Sequence, residues 1–306
     1  VSLLLGNGDG SLATQRTFSV GKTPTGIAVA DLNGDGMLDV VTSNADSDNV
    51  SVLIGNGTGN FATSKEYAAG KYPVAVLVAD FNADGRPDVV TANADAGTLS
   101  FLQGSAVTAG ALNTARALTA CASPSSLFAT DLNGDGKLDL VTANFSTNSV
   151  TVALGAGNGT FSNPLNQNAS TRPGGLFVTD LDGDKKLDVV VANTIGNNVS
   201  VLLGTGGGLL ANPVQLPLGT NSPESVWVAD WDGDGKPDIV TANSQSNNWS
   251  YFQGTSPTQY AAPVHTMTGT TPSGVASADL NGDGMQDLVL ANAGSNNLQV
   301  ILSACK

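Results

Sequence analysis

Six short segments of the sequence carry acidic and amide side chains at fixed positions. In the first, Asp31, Asn33, Asp35 and Asp39 supply side-chain oxygens at positions 1, 3, 5 and 9, and glycines occupy positions 4 and 6. Odd spacing in a tightly turning loop directs such oxygens to one point, and glycine permits the turn. Calcium takes about six to eight oxygen ligands in irregular geometry, whereas magnesium keeps its waters and zinc prefers His or Cys. The pattern therefore predicts a calcium loop, in which Met37 at position 7 contributes its main-chain carbonyl.

The segment recurs at nearly constant spacing, at 31–39, 80–88, 131–139, 180–188, 230–238 and 279–287. One copy alone could be an Asx-rich turn, because Asn-Gly and Asp-Gly favour hairpins. Six copies with three or four carboxylates each favour metal binding, because clustered like charges are costly unless a cation neutralises them. We therefore predict about six structural calcium ions per chain. The predicted ligands are Asp31, Asn33, Asp35, Met37, Asp39, Asp80, Asn82, Asp84, Arg86, Asp88, Asp131, Asn133, Asp135, Lys137, Asp139, Asp180, Asp182, Asp184, Lys186, Asp188, Asp230, Asp232, Asp234, Lys236, Asp238, Asp279, Asn281, Asp283, Met285 and Asp287.

The acidity of the chain is concentrated in these loops. They hold 20 of the 26 acidic residues, and the formal net charge is −14. Six bound divalent ions would bring the net charge to about −2, so calcium should relieve self-repulsion. No basic patch accompanies the acidic residues, and we therefore do not expect nucleic acid as a partner.

Two loops depart from the common pattern. Lys185 stands where every other copy has glycine, so a β-carbon is expected in a positive-φ conformation and the site should be perturbed. Asp182, an additional carboxylate at position 3, should partly offset this strain. Ala83 replaces glycine at position 4 of the second loop, which is a milder change.

Short apolar runs flank each loop and predict the elements that hold it. The runs are β-branched and bounded by glycine, as in 26–30 before the first loop and 38–41 after it, which is typical of buried strands. A turn, a third strand at 50–54, a Gly-rich turn and a fourth strand near 61–67 complete the unit. Four antiparallel strands in about 50 residues indicate a β-propeller blade. We predict an all-β fold of four-stranded antiparallel blades in a single domain, 1–306.

The segment from Asp31 to Asn44, followed by the run from Asn49 to Phe61, resembles the FG-GAP or VCBS repeat of integrin α-subunit propellers and many secreted microbial proteins. The resemblance covers essentially the whole chain. It implies that the cation loops lie on one face and stiffen the blades. It also implies ligands held by loops of the other face or by clefts between blades. Members of the family include adhesion receptors and lectins, so the resemblance implies a cell-adhesion or lectin-like role.

The number of blades is open at this point. Six cation loops imply six blades, yet the third-strand motif occurs seven times, because 1–6 matches 50–55. In the six-bladed arrangement, which we favour, the segment near Thr17–Val20 supplies the fourth strand of the last blade and Val1–Leu5 is a surplus strand. The alternative is a seven-bladed propeller with one incomplete blade.

Composition adds further expectations. Every apolar run is shorter than the roughly 18 residues that a membrane span requires. Loops of this modest charge should fill at millimolar extracellular calcium, so we expect a secreted protein whose signal peptide has already been removed. Cys121 and Cys305 are expected on opposite faces of different blades, without an intramolecular disulfide.

The sequence offers little for catalysis. His265 is the only histidine, and its neighbours predict an outer strand, so no Ser-His-Asp or Cys-His arrangement is indicated. Paired loop carboxylates would be poor proton donors if calcium held them. We therefore expect a protein that is not an enzyme.

Binding is the stronger hypothesis. Trp227, Trp249 and Tyr251 fall in the fifth repeat, where stacking on a sugar ring is chemically sensible, although the tryptophans could equally fill space between blades. The Asn-rich turns 193–198, 243–248 and 292–297 offer amides for hydroxyl groups, or serve turn geometry. Two functions follow: a module that binds carbohydrate or a protein partner, or an assembly module that self-associates through unpaired edge strands.

Overall fold

The computed structural model describes residues 1–120, 122–162, 164–256 and 258–303. These residues form antiparallel strands, and their one helical segment is a single 3-10 turn at Ala45–Ser47. The predicted all-β class is thus confirmed. Cys121 and Cys305 lie outside the described residues, so the expectation about a disulfide stays a prediction.

Each repeat folds into one antiparallel sheet whose strands follow chain order. The first five sheets have four strands and the sixth has three among the described residues. The first three blades comprise Pro24–Ala30, Asp39–Asn44, Asn49–Leu53 and Lys65–Ala68; Pro73–Ala79, Asp88–Asn93, Thr98–Leu102 and Arg116–Ala120; and Pro124–Thr130, Asp139–Asn144, Ser149–Ala153 and Leu165–Asn168. The last three comprise Pro173–Thr179, Asp188–Asn193, Asn198–Leu202 and Val214–Pro217; Pro223–Ala229, Asp238–Asn243, Asn248–Phe252 and Val264–Met267; and Pro272–Ala278, Asp287–Asn292 and Asn297–Ile301. Short hairpin strands occur at Gly204–Gly206 with Leu209–Leu210 and at Gly254–Ser256 with Gln259–Tyr260.

The middle strands are the buried ones. All six residues of Asp39–Asn44 are buried, because sheets pack on both faces of this strand and its Val-Val-Thr run suits that environment. The first strand, Pro24–Ala30, instead alternates in exposure. Each cation loop joins the first strand to the second, as predicted.

The chain falls into two compact units, one of residues 1–3 and 15–166 and the other of residues 4–14 and 167–306. Within the first unit, one core cluster joins Leu32, Val50, Val76 and Leu102 of the first two blades. Within the second unit, a comparable cluster joins Leu181 of the fourth blade to residues of the fifth. Hydrophobic burial between consecutive blades therefore holds each unit together.

An apolar residue that follows the Gly-rich turn completes these clusters. Leu112, Phe161 and Tyr260 each belong to the later blade of a pair and pack against the core that the pair shares. The turn between the third and fourth strands thus supplies an apolar side chain that fills space at the interface with the preceding blade. We call this side chain the wedge.

The N-terminal segment differs from the prediction. Ser2–Leu3 pairs with Arg16–Thr17 in a two-stranded sheet, so Thr17 does not complete the last blade and Val1–Leu5 is not a surplus strand. The turn at Asn7–Ser11 closes this hairpin locally, with positive φ at Gly8 and Gly10. Closing a short loop costs less entropy than bringing distant segments together. The six-bladed β-propeller class itself is confirmed.

Cation loops and an aromatic cleft as candidate sites

The first Asp of each loop holds the turn together by accepting hydrogen bonds from main-chain N–H groups of the same loop. Asp31 accepts hydrogen bonds from the N–H of Gly34 (2.7 Å) and Gly36 (2.8 Å), and both glycines have φ near +80°. The Gly36 N–H is the main cause that lowers the pKa of Asp31. Asp279 repeats this arrangement with Gly282 and Gly284. The loop therefore presents an ionised carboxylate at position 1.

The last Asp of each loop is a buried link between the loop and the third strand. Asp39 is fully buried; its Oδ2 accepts the Leu32 N–H (2.9 Å) and its Oδ1 accepts the Gly55 N–H (2.7 Å). The sequence assigned this position to metal binding alone, and its structural role was missed. The same pair of bonds is formed by Asp88, Asp139, Asp188, Asp238 and Asp287.

Four of these buried carboxylates are held at an electrostatic cost. Burial, together with the neighbouring loop carboxylates, raises the pKa of Asp88 and Asp188 to about 6, against the effect of their backbone hydrogen bonds. Burial also raises the pKa of Asp139 and Asp238. Carboxylates crowded in this way are stabilised by a nearby cation.

Two loops bring three carboxylates together. Oxygens of Asp180, Asp182 and Asp188 lie within 4.8 Å of one another, and so do those of Asp230, Asp232 and Asp238. Oxygen donors of this kind, without sulfur or imidazole, suit calcium. In the other four loops, position 3 is an amide whose oxygen is also a calcium ligand but carries no charge: Asn33, Asn82, Asn133 and Asn281. The residues present therefore fit a hard cation, most strongly in the fourth and fifth loops.

Lys185 and Ala83 adopt the positive-φ conformation that glycine has at these positions in the other loops. Lys185 has φ +67° and its N–H donates to Asp180 Oδ2 (2.9 Å), as Gly36 does to Asp31. The expected positive φ is thus confirmed, and perturbed metal binding stays a prediction. Ala83 has φ +57°.

The side chain at position 7 has a role that the sequence analysis missed. Where it is cationic, it pairs with the Asp at position 5 of its own loop, as in Lys236–Asp234 (2.6 Å) and Lys186–Asp184 (2.6 Å). Arg86–Asp84 and Lys137–Asp135 follow the same pattern. Position 7 is Met37 in the first loop and Met285 in the sixth, so it carries no positive charge to pair with the Asp at position 5. The sequence contains a signal for this ion pair, because the cationic residue follows the Asp of position 5 by two residues.

The Asn-rich turns are only partly available to a ligand. Asn193, Asn243 and Asn292, which open them, are buried, and Asn193 Nδ2 donates to Ser200 Oγ (2.8 Å) of the neighbouring strand. Asn243 bonds Ser250 in the same way (2.6 Å). These amides fix the sheet and cannot bind a sugar without breaking it.

His265 lies on the fourth strand of the fifth blade, as predicted. Its Nδ1 is 2.8 Å from Ser250 Oγ. Gln215 contacts Ser200 at the same register of the fourth blade (3.0 Å). The histidine therefore occupies a position where another blade uses an amide to link strands.

A cleft lies between the fifth and sixth blades, and we call it the aromatic cleft. Its volume is about 260 Å³ and its residues come from the cation loops and strands of both blades. The lining residues are Trp231, Asp232, Val240, Trp249, Tyr251, Gln286, Leu288, Ile301, Leu302 and Ser303.

Trp249 and Tyr251, two of the three predicted ligand residues, lie in this cleft. Burial and the nearby Asp238 carboxylate raise the pKa of Tyr251. Trp227 is not a lining residue; it packs on Phe177 with ring centroids 4.9 Å apart. Trp231 completes the cleft. Its place at position 2 of a cation loop, where other loops have Leu or Phe, was the signal that could have found it.

The blades and their loops define the class of the protein: a β-propeller with an acidic nine-residue loop between the first and second strands of each blade. Residues 1–42, 31–91, 131–191, 180–241 and 230–290 match the FG-GAP-like repeat. The chain belongs to this family. A comparison with curated protein sequences finds no significant match.

Solved structures share the fold. An Agrocybe aegerita lectin, described for recognition of non-reducing terminal N-acetylglucosamine, aligns with TM-score 0.61 and 18% identity over 98% of this chain and 87% of that one. A "putative 6-phosphogluconolactonase" from Bacteroides uniformis aligns with TM-score 0.73 and 17% identity over 98% and 86%. BBS1N in complex with ARL6DN aligns with TM-score 0.64 and 12% identity over 92% and 80%. No helix in the described part of the chain is long and apolar enough to cross a membrane.

Proposed function

We propose that this protein is a secreted, calcium-stabilised binding and adhesion module without enzymatic activity, and that its ligand is a carbohydrate or a protein. The aromatic cleft carries the proposal. Three half-buried aromatic side chains, Trp231, Trp249 and Tyr251, line one concave site beside a polar loop. Such a combination of apolar walls and a few polar groups is typical of binding sites.

Calcium, where bound, would neutralise the crowded carboxylates of a loop. Positions 1, 3, 5 and 9 would hold it, with the main-chain carbonyl of position 7. The chain's own part is to preorganise these oxygens: backbone N–H groups fix Asp230, and the Trp231 and Gly254 N–H groups fix Asp238. Because the fifth loop also supplies Trp231 and Asp232 to the cleft, loop order and cleft shape are linked.

Two observations support a binding role over catalysis. The one histidine bonds a strand serine, and the carboxylates of the loops are engaged by backbone N–H groups. The structural neighbours include a lectin, a protein complex and a putative lactonase, at identities that establish fold alone, so they do not decide between binding and catalysis. Secretion is supported by the many calcium loops, because millimolar calcium is available outside cells.

A binding screen tests the proposal. The fluorescently labelled chain would be applied to a glycan array and to arrayed extracellular proteins, in 2 mM calcium and in excess chelator, at concentrations of about 1 µM. Saturable binding that requires calcium is expected. Absence of binding in both arrays, for a chain shown to be folded, would refute the binding role.

The edge of the sixth blade supports assembly as a second candidate function. Among the described residues, Asn297–Ile301 pairs on one side only, and Leu298 on it is exposed. An open edge invites pairing with another strand, and a lysine on the edge discourages it. Light scattering should show oligomers of the unchanged chain and monomers of Leu298→Lys. Val264→Lys, on the outer strand of the fifth blade, is the control. A chain that is monomeric throughout would exclude assembly through this edge.

A further inference from the structure

The first and third cation loops differ at one position only. Both read Asp-Leu-Asn-Gly-Asp-Gly-x-Leu-Asp, and position 7 is Met37 in the first loop and Lys137 in the third. Both loops belong to the first unit, and in both the first Asp accepts hydrogen bonds from the N–H groups of positions 4 and 6. The two loops therefore isolate the effect of the side chain at position 7.

Position 7 acts on the carboxylate of position 5. In both loops the main-chain N–H of position 7 donates to Oδ1 of this Asp, at 2.8 Å from Met37 to Asp35 and at 3.0 Å from Lys137 to Asp135. Oδ2 is therefore the oxygen that is left for a cation. In the first loop Oδ2 accepts the neutral Asn33 amide (2.9 Å), whereas in the third loop it lies 3.4 Å from the Lys137 ammonium group.

The second, fourth and fifth loops also place a cation on Oδ2 of the position-5 Asp. In the second loop, Oδ2 of Asp84 contacts Arg86 (2.5 Å) and accepts Gln103 Nε2 (3.1 Å). In the fourth and fifth loops a lysine Nζ lies 2.6 Å from this oxygen. The sixth loop repeats the neutral arrangement of the first, because Asp283 Oδ2 accepts the Asn281 amide (2.9 Å).

The charges of the loops follow the residue at position 7. The side chains of the first and sixth loops carry a formal charge of −3, and those of the second and third loops carry −2. Asp182 and Asp232, the additional carboxylates at position 3, occur only in loops with lysine at position 7. In the fifth loop the Lys236 charge is thus offset by Asp232. The contrast is clearest between the first and sixth loops and the second and third.

A cation held at Oδ2 opposes the binding of a second cation in two ways. It must release the carboxylate before that oxygen can bind a metal, and its charge repels a divalent ion in the same loop. The Lys137 and Asp135 side chains are 44% and 38% exposed, and ion pairs at such exposure are weak. The cation should therefore lower the affinity of a loop for calcium without abolishing it.

We propose, resting on the calcium loops of the proposed function, that the side chain at position 7 sets the order in which the loops take up calcium. Met37 and Met285 leave the first and sixth loops to fill at low calcium. Arg86 and Lys137 act as tethered cations, so the second and third loops fill only at higher calcium. The chain thereby responds to calcium over a range of concentrations.

A calcium titration followed by NMR tests the order loop by loop. In the ¹⁵N-labelled chain, the amide signals of Gly36 and Gly136 report on the first and third loops separately, because both N–H groups donate to the first Asp of their loop. We expect the Gly36 signal to reach its midpoint at about fivefold less calcium than the Gly136 signal. Lys137→Met should move the Gly136 midpoint to that of Gly36, and Met37→Lys should do the reverse.

Two control variants separate local charge from other effects. Lys137→Arg keeps the charge and should leave the Gly136 midpoint unchanged. Lys71→Met removes an exposed lysine outside the loops and should leave both midpoints in place. The difference between the two loops should also shrink at about 1 M salt, because salt screens the repulsion between the tethered cation and the metal.

Two results would overturn the inference while leaving calcium binding intact. One is a pair of equal midpoints in the unchanged chain, or midpoints that the reciprocal exchanges leave in place. The other is an equal shift of the Gly136 midpoint in Lys137→Met and Lys71→Met, because net charge alone would then set the affinity. If neither glycine signal responds to calcium in a chain whose spectrum shows that it is folded, the calcium loops themselves are refuted.

Discussion

In the second unit, the interface between the fourth and fifth blades and the interface between the fifth and sixth blades are formed by equivalent strands. They differ in the side chains that fill them. Between the fourth and fifth blades, Tyr260 fills the space beside Phe252, and burial together with the charges of Asp188 and Asp238 raises the pKa of its hydroxyl. Between the fifth and sixth blades, the equivalent space is the aromatic cleft. We call the former the closed interface.

The contrast shows that one backbone can form a filled interface and an open one. Both interfaces border the fifth cation loop, and Asp238 influences both, because its charge raises the pKa of Tyr260 and of Tyr251. The closed interface uses its side chains to bury apolar surface. The aromatic cleft leaves open space between its lining side chains.

Removal of calcium should have the largest effect, because it acts on the loops at both interfaces. A site filled at a hundred times its dissociation constant stabilises the fold by about 2.7 kcal/mol. With several sites, thermal unfolding in chelator should occur more than about 10 °C below that in millimolar calcium. Calorimetry with metal analysis checks this. Equal unfolding temperatures without bound metal would contradict the assignment of the loops.

Asp238→Asn should have the next largest effect, because both interfaces depend on this residue. The amide can accept from only one of the Trp231 and Gly254 N–H groups and loses charge-assisted bonds, at a cost of about 2–3 kcal/mol. Denaturation in chelator separates this loss from metal binding. In the same conditions Asp234→Asn, at an exposed ion pair with Lys236, should cost less than about 1 kcal/mol. Equal effects of the two variants would contradict the buried link.

Tyr260→Ala should open the closed interface and convert it towards an unfilled cleft. Loss of a half-buried aromatic side chain should lower the free energy of unfolding by about 2–3 kcal/mol. Tyr260→Phe keeps the ring and should cost less than about 1 kcal/mol. Chemical denaturation checks both. If the alanine variant is as stable as the phenylalanine variant, Tyr260 is not the wedge that the contacts indicate.

Trp249→Val should have the smallest effect on stability, because the cleft is already open and an unpaired donor is removed. The free energy of unfolding should change by less than about 1 kcal/mol. The reverse exchange, Val199→Trp, should destabilise by at least about 2 kcal/mol, since Val199 is fully buried. Similar costs for the two exchanges would show that the interfaces are packed alike.

The sequence predicted the parts of the molecule that local, repeated signals determine. The loop pattern from Asp31 to Asp39 and the apolar runs around it recur six times, so strand order and the all-β class could be read directly. The same spacing placed position-9 carboxylates such as Asp39 in the loop. The burial of Asp39 could not be read from the spacing. Neither could its hydrogen bond from the Gly55 N–H, because the two residues are 16 apart in sequence.

Contacts between blades were beyond the sequence pattern for the same reason. Trp227 and Trp249 are 22 residues apart and were grouped as one site, yet one packs on Phe177 and the other lines the cleft. Both pack against the core cluster of the fifth and sixth blades, but Trp227 lies on the first strand of the fifth blade and Trp249 on the third. The N-terminal hairpin was missed because pairing with the last blade and pairing with its own neighbour satisfy the same strand pattern.

Calcium titration followed by tryptophan fluorescence tests the central claim that the aromatic cleft is built on a cation loop. All three tryptophans lie in the fifth repeat, at 227, 231 and 249, so emission reports on this region. We predict a saturable emission change that Asp230→Asn, at position 1 of the fifth loop, abolishes and that Asp131→Asn, at position 1 of the third loop, leaves intact. Full calcium binding without an emission change, or an emission change that persists in Asp230→Asn, would contradict the account.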